Sequence, residues 1–283
     1  MSSTQISVAK VATQSINHPR ISKVAAVVGV GLLMIANATS TTLAQSPEPP
    51  GSELTIVLVH GGFAGPEGWD EVKAGLEKDG YAVATPRLDL FNAAEDVATV
   101  RAALDAIPGR KILVGHSYGG FVVTQAAANR PDVVGLVYTA AFIPRPGDSL
   151  ISLGNGYAPP AAIPHLIFLG EPFGSPAIID PAHYREDFAG DLNPKLAAEF
   201  AATQQPFNFL IFGQQAGPTA SLPSWYALSG EDRMIVPALQ RWMAERAGAK
   251  IVEFPAASHA GGYTHYASPF AKLIEQAAAA LAG

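Results

Sequence analysis

The chain has 283 residues, 48% hydrophobic and 15% charged, with a formal net charge of −6. That composition describes a globular chain with a sizeable core and excludes a disordered one. The acidic balance argues against nucleic acid or an anionic membrane surface as a partner, and the absence of cysteine excludes disulfides, thiol catalysis and cysteine metal sites.

At the N-terminus Arg20 and Lys23 precede an apolar run, 24–38, that is short for a membrane span. Small residues follow, and Thr42-Leu43-Ala44 fits a cleavage site before Gln45. Residues 1–44 therefore read as a secretory signal peptide with a long polar leader, an uncleaved anchor being the alternative. Removing them takes away Lys10, Arg20 and Lys23 and no acidic residue, so the remainder is more acidic still. The expectation is an exported protein, periplasmic or extracellular, without membrane attachment after cleavage. Residues 45–52, rich in proline, read as a linker, and 53–283 as one domain.

Thr55-Ile56-Val57-Leu58-Val59 is a continuous β-branched run, the pattern of a strand buried on both faces. It ends in His60-Gly61-Gly62-Phe63. A helix is predicted over 69–78, a strand over 81–85 and a helix over 92–107 with Asn92 as its N-cap. Ile112-Leu113-Val114 is the third strand, and 133–141 the fourth. The pattern predicts further strands at 224–229 and 251–254, a helix over 237–247, and a last helix over 269–281 capped by Ser268. Strands alternating with helices predict an α/β fold, a mostly parallel sheet of about six strands joined by right-handed crossovers.

The rhythm breaks over 142–223, where no clear sheet strand can be read. This segment holds 12 of the 23 prolines and 8 of the 13 phenylalanines, which marks it as a cap laid over the sheet. Asp180-Pro181 and Asn193-Pro194 each pair an N-cap residue with proline at the first helical position, so two short helices are expected there.

The third strand runs directly into Gly115-His116-Ser117-Tyr118-Gly119, and a helix-compatible segment follows. Strand, sharp turn, helix is the setting in which G-x-S-x-G holds a nucleophilic serine above the sheet edge. A phosphate-binding turn would favour further glycines and a lysine, and neither is present. Serine needs a base, and in an open parallel sheet the base should follow a strand. His259, five residues beyond Phe254, is favoured over His265, near the last helix. His116 should point away from the hydroxyl, and His60 should pack beneath its own loop. His165 and His183 fall in the cap. The acid that orients the base is Asp232, directly after the fifth strand, with Glu231 and Asp148 as rivals. Two backbone N–H groups should await a developing oxyanion: that of Tyr118, and that of Gly62, with Phe63 its close rival. No His, Asp and Glu cluster has metal-ligand spacing.

These motifs resemble the α/β-hydrolase superfamily over essentially everything after Glu53. Val57-Leu58-Val59-His60-Gly61, Gly115-His116-Ser117-Tyr118-Gly119-Gly120 and Ser224-Trp225-Tyr226 with Glu231-Asp232-Arg233 are similar to compact bacterial esterases related to plant methyl-salicylate esterases and hydroxynitrile lyases. The resemblance implies a Ser117-Asp232-His259 triad, a helical cap and no cofactor. The lyases of that group carry lysine after the catalytic histidine, where this chain has Ala260, which disfavours cyanohydrin cleavage. Ser117 at the elbow excludes the aspartate-dependent dehalogenases and epoxide hydrolases. The expected activity is hydrolysis of small to medium apolar carboxylic esters or lactones through an acyl-enzyme. A cofactor-free lyase, perhydrolase or acyltransferase on the same fold is the alternative.

Overall fold

The computed structural model describes residues 54–171 and 174–282; the expected signal peptide and linker lie outside them. Six parallel strands form the sheet: β1 (Leu54–Val59), β2 (Ala82–Ala84), β3 (Arg110–His116), β4 (Val133–Thr139), and, after the cap, two more at Ser224–Ser229 and Lys250–Phe254. Ile56 to Val59 and Ile112 to Val114 are fully buried, as continuous apolar runs in a covered parallel sheet require. Helix α1 (Asp70–Lys78) links β1 to β2, α2 (Ala93–Ala106) links β2 to β3, and α3 (Tyr118–Ala126) links β3 to β4. The Asn92 side chain accepts from Ala94 and Glu95 N–H and so caps α2.

The connection out of β4 carries α4 (Leu150–Gly154), β5 (Leu166–Phe168), β6 (Pro176–Ile179), α5 (Pro181–Phe188), α6 (Pro194–Thr203) and β7 (Phe207–Asn208). Asp180 accepts from Ala182 N–H and Asn193 from Leu196 N–H, which places the two expected helix starts. The cap is not helical alone. Strands β5, β6 and β7 form a small antiparallel sheet, with Leu166 opposite Ile179 and Ala177 opposite Phe207. These strands have three, four and two residues, too few for a period-two pattern to register.

The chain then returns through β8 (Ser224–Ser229), α7 (Pro237–Ala247), β9 (Lys250–Phe254) and α8 (Ala267–Leu281), giving the order β2-β1-β3-β4-β8-β9. Ser268 does not cap α8. The helix starts at Ala267 behind Tyr266, whose carbonyl accepts from Phe270 N–H at 2.9 Å. A 3-10 turn at Gly261–Tyr263 feeds the chain into that position, and Pro269 is tolerated because it lies in the first turn.

All strands being parallel, their carboxyl ends share one edge. There the loops after β1, β3, β8 and β9 meet. The cap is stitched to loops at this edge: Asn208 N–H donates to Leu90 O in the loop after β2, Ala161 N–H to Arg233 O after β8, and Ala260 N–H, after β9, to Phe188 O.

Candidate active site

Ser117 is held at φ 54°, ψ −124°, a left-handed conformation costing a non-glycine residue of order 1–3 kcal/mol. Its surroundings enforce it. Ser117 N–H donates to Thr139 O, and Ser117 O accepts from Gly120 and Phe142 N–H. A Cβ at Gly115 would sit 2.7 Å from Gly120 Cα, and one at Gly119 2.4 Å from Val59 O. Only glycine lets the strand, the helix and the neighbouring strand approach this closely.

The loop after β9 brings His259 to the serine. Ser117 Oγ lies 2.9 Å from His259 Nε2, and His259 Nδ1 lies 2.8 Å from Asp232 Oδ2. A carboxylate only accepts, so Nδ1 carries the proton and Nε2 offers its lone pair to the hydroxyl. Asp232 is 3% exposed and fully engaged. Its Oδ1 accepts from Met234 and Ile235 N–H, and its Oδ2 also accepts from Gln240 Nε2 at 2.8 Å. The rivals lie elsewhere: Asp148 pairs with Arg246 at 2.9 Å, and Glu231 is exposed. His265 is exposed against Tyr266.

Two further histidines shape the site without facing the serine. His116 Nε2–H donates to His259 O at 2.9 Å, so the residue beside the nucleophile holds the backbone of the residue opposite it. Burial, then the charge that His259 can carry, holds His116 well below the usual imidazole range. His60 Nδ1–H donates to Gly61 O while Nε2 accepts from Leu88 N–H at 3.0 Å. Burial pushes its pKa down to about 4, so it stays neutral as a brace under the glycine loop.

Gly62, Phe63 and Tyr118 line the pocket with Ser117 and His259. Tyr118 is the first residue of α3, so its N–H has no partner within the helix and is free for an incoming oxygen. The Tyr118 side chain is anchored away from the pocket: its O–H donates to Asp96 at 2.8 Å, and Asp96 also accepts from Asp89 and Leu90 N–H. Burial raises the Asp96 carboxyl above its ordinary value. The remaining pocket wall is apolar: Phe142, Leu150, Phe188, Phe207, Phe212 and Ile235 among others.

The structure therefore brings together Ser117, Asp232, His259, Gly62, Phe63 and Tyr118. Gln240, Asp96 and the anchoring role of His116 are not readable from sequence motifs. Gln240 left one trace, an amide on the buried side of α7 with Leu239, Met243 and Ala244. Among the described residues no group of His, Asp and Glu converges as metal ligands.

A model of the alpha/beta hydrolase family matches residues 56–276. A pyrethroid hydrolase of Sphingobium wenxiniae is 28% identical over 234 residues, 74% of this chain and 82% of that protein. A carbendazim hydrolyzing esterase of Nocardioides sp. is 38% identical over 118 residues, and the match spans about half of that relative (49%) and 37% of this chain. The crystal structure of a pyrethroid hydrolase from Sphingobium faniae JZ-2 superposes with a TM-score of 0.68 at 26% identity, over 80% of this chain and 98% of that one. The methylesterase MES16 of Arabidopsis, at 17% identity, shares the fold with a TM-score of 0.69 over 81% of this chain and 100% of its own.

Proposed function

The chain belongs to the α/β-hydrolase family, and from that premise we propose that it is a serine carboxylic ester hydrolase for small to medium apolar esters or lactones. The carrying observation is the unbroken hydrogen-bonded run from Asp232 through His259 to Ser117, opening on a phenylalanine-rich pocket.

In this reading His259 takes the Ser117 proton as the oxygen attacks the ester carbonyl, and Asp232 stabilises the imidazolium. The negative charge that forms on the carbonyl oxygen meets the Tyr118 N–H and that of Gly62, with Phe63 as its rival. One such donor contributes about 3–4 kcal/mol to the barrier. His259 then protonates the leaving alcohol, and water, activated by the same base, releases the acid. Neither a metal nor a cofactor takes part. Export through cleavage after Ala44 belongs to the same proposal, and the N-terminal sequence of protein recovered outside the cytoplasm tests it.

The relatives' names support the ester bond as target, and they add a pyrethroid to the substrates worth offering. The deciding experiment assays purified protein on 4-nitrophenyl acetate through decanoate and a pyrethroid, beside Ser117→Ala. Hydrolysis of the apolar esters is expected, with a loss of about 10⁶-fold in kcat on the substitution. Activity that survives Ser117→Ala overturns the assignment. Transfer of the acyl group to an added alcohol or peroxide in preference to water would favour the acyltransferase or perhydrolase reading instead.

A further inference from the structure

A second cavity adjoins the pocket at Ser117. The two spaces are of similar size. Phe63 is the one residue lining both. The outer end opens beside Glu67, whose carboxylate is paired with Arg87. The inner wall carries Tyr184 and Tyr263, which are 1% and 3% exposed.

These two phenols differ from the other buried tyrosines. Tyr118 donates to Asp96, Tyr226 to Ala141 O, and Tyr138 pairs with Thr124. Among the described residues neither Tyr184 nor Tyr263 has a hydrogen-bond partner for its hydroxyl; burial first, then the Asp191 carboxylate for Tyr263 and Tyr263 itself for Tyr184, keeps both protonated. Neither oxygen is among the fully enclosed polar atoms left without a partner, so both hydroxyls open onto the crevice and can donate into it. Each of the two rings is one aromatic ring removed from His259. Tyr263 lies 4.4 Å from the His116 ring, and Tyr184 lies 5.0 Å from Phe188, itself 4.8 Å from His259.

Phe63 is the second oddity. It sits at φ 57°, where glycine would be free of strain and phenylalanine is not. Its ring packs on Phe207 and Phe209 and fills the boundary between the two spaces. A strained residue that keeps a large side chain at a site boundary points to a use for that side chain.

We propose that the crevice behind Phe63 is a second substrate subsite, screened from Ser117 by the Phe63 ring, for an ester arm that ends in a neutral acceptor oxygen. The proposal rests on the esterase reading of Ser117. Two hydroxyls free to donate favour an ether, ketone or hydroxyl oxygen. An all-carbon arm would leave both phenols unpaired.

The test compares 4-nitrophenyl 6-methoxyhexanoate with the octanoate of equal length, each as kcat/KM relative to the acetate. The ether oxygen is too far from the carbonyl to alter its reactivity. Phe63→Gly, which accepts the observed backbone, should raise the methoxy ratio about tenfold and the octanoate ratio less. Phe63→Ala should move both ratios the same way and guards against any defect particular to glycine. Adding Tyr184→Phe and Tyr263→Phe to Phe63→Gly should bring the two long arms level. Unchanged long-to-short ratios in both Phe63 variants overturn the subsite while leaving the esterase assignment intact. An equal gain for both arms that ignores the tyrosines overturns its oxygen selectivity. Absence of ester hydrolysis in the unaltered protein, or its survival in Ser117→Ala, overturns the reading of the site and the subsite with it.

Discussion

Among the described residues there are two His–Asp pairs, one at the sheet edge and one in the cap. His259 meets Asp232 at 2.8 Å; His165 meets Asp187 at 2.6 Å. In both the aspartate is buried and Nδ1 faces it. The surroundings differ. His259 is 1% exposed and its other nitrogen holds the Ser117 hydroxyl. His165 has a side chain 29% exposed, stacked on His183 with centroids 3.6 Å apart, and no serine stands at its Nε2. Asp232 has both oxygens satisfied by fixed donors, whereas Asp187 Oδ1 is left with Arg233 at 3.7 Å. A carboxylate and an imidazole in contact thus make a strut in one place and, in the proposed mechanism, a base in the other. What separates them is a strained nucleophile and a shell of donors that leaves the acid no freedom.

After Ser117→Ala, the largest effect should come from Asp232→Asn. The amide lets the imidazole adopt the wrong tautomer, and kcat on 4-nitrophenyl butyrate should fall about 10⁴-fold with little change in melting temperature. The next concerns acid. His60 has a folded pKa of about 4 against 6.5 when unfolded, so between those values the unfolded chain binds more protons and stability rises with pH. This contribution, about 3 kcal/mol when complete, is present above pH 6.5 and lost as pH falls towards 4. His116 acts in the same direction. Urea midpoints should therefore drop between pH 7 and 4.5, and His60→Gln, which keeps an acceptor for Leu88 N–H, should flatten that slope in part. An unaltered slope would show that the sheet edge is not where acid acts.

Asp187→Ala should sharpen the contrast. It strips the cap pair and should cost about 1–3 kcal/mol, a melting temperature several degrees lower, while kcat stays within about threefold. A 10³-fold loss of kcat would break the distinction between strut and base. Gln240→Leu acts on both counts: Asp232 Oδ2 loses one of its donors, so kcat should fall about tenfold, and the Ser229 and Ile235 backbone groups lose their partner, so the melting temperature should fall by several degrees.

The two regions were unequally legible in the sequence. β1, β3 and β4 announce themselves as apolar runs because both their faces are covered. The elbow announces itself because three backbones cross where only glycine fits. His259 and Asp232 could be reached from chain order, since a parallel sheet delivers every loop to one edge. The cap resisted because β5 to β7 draw their stability from packing and not from pattern. The pairing of His165 with Asp187 and the grip of Gln240 on Asp232 span elements whose relative placement no local pattern carries. Ser268 shows the limit of a local rule: Ser-Pro is a good helix start, but the preceding turn had already set the axis two residues earlier.

The path from β4 to β8 has one more consequence. A crossover between neighbouring parallel strands needs only a dozen or so residues, yet here it runs through residues 140–223. Lengthening a connection costs little in chain entropy, about 0.6 kcal/mol for each doubling. The sheet edge is frozen by backbone contacts, but the segment above it hangs between two fixed anchor points and can be rewritten without rethreading the rest. A lineage built on this frame can change its diet by editing one stretch of chain and leave its chemistry alone.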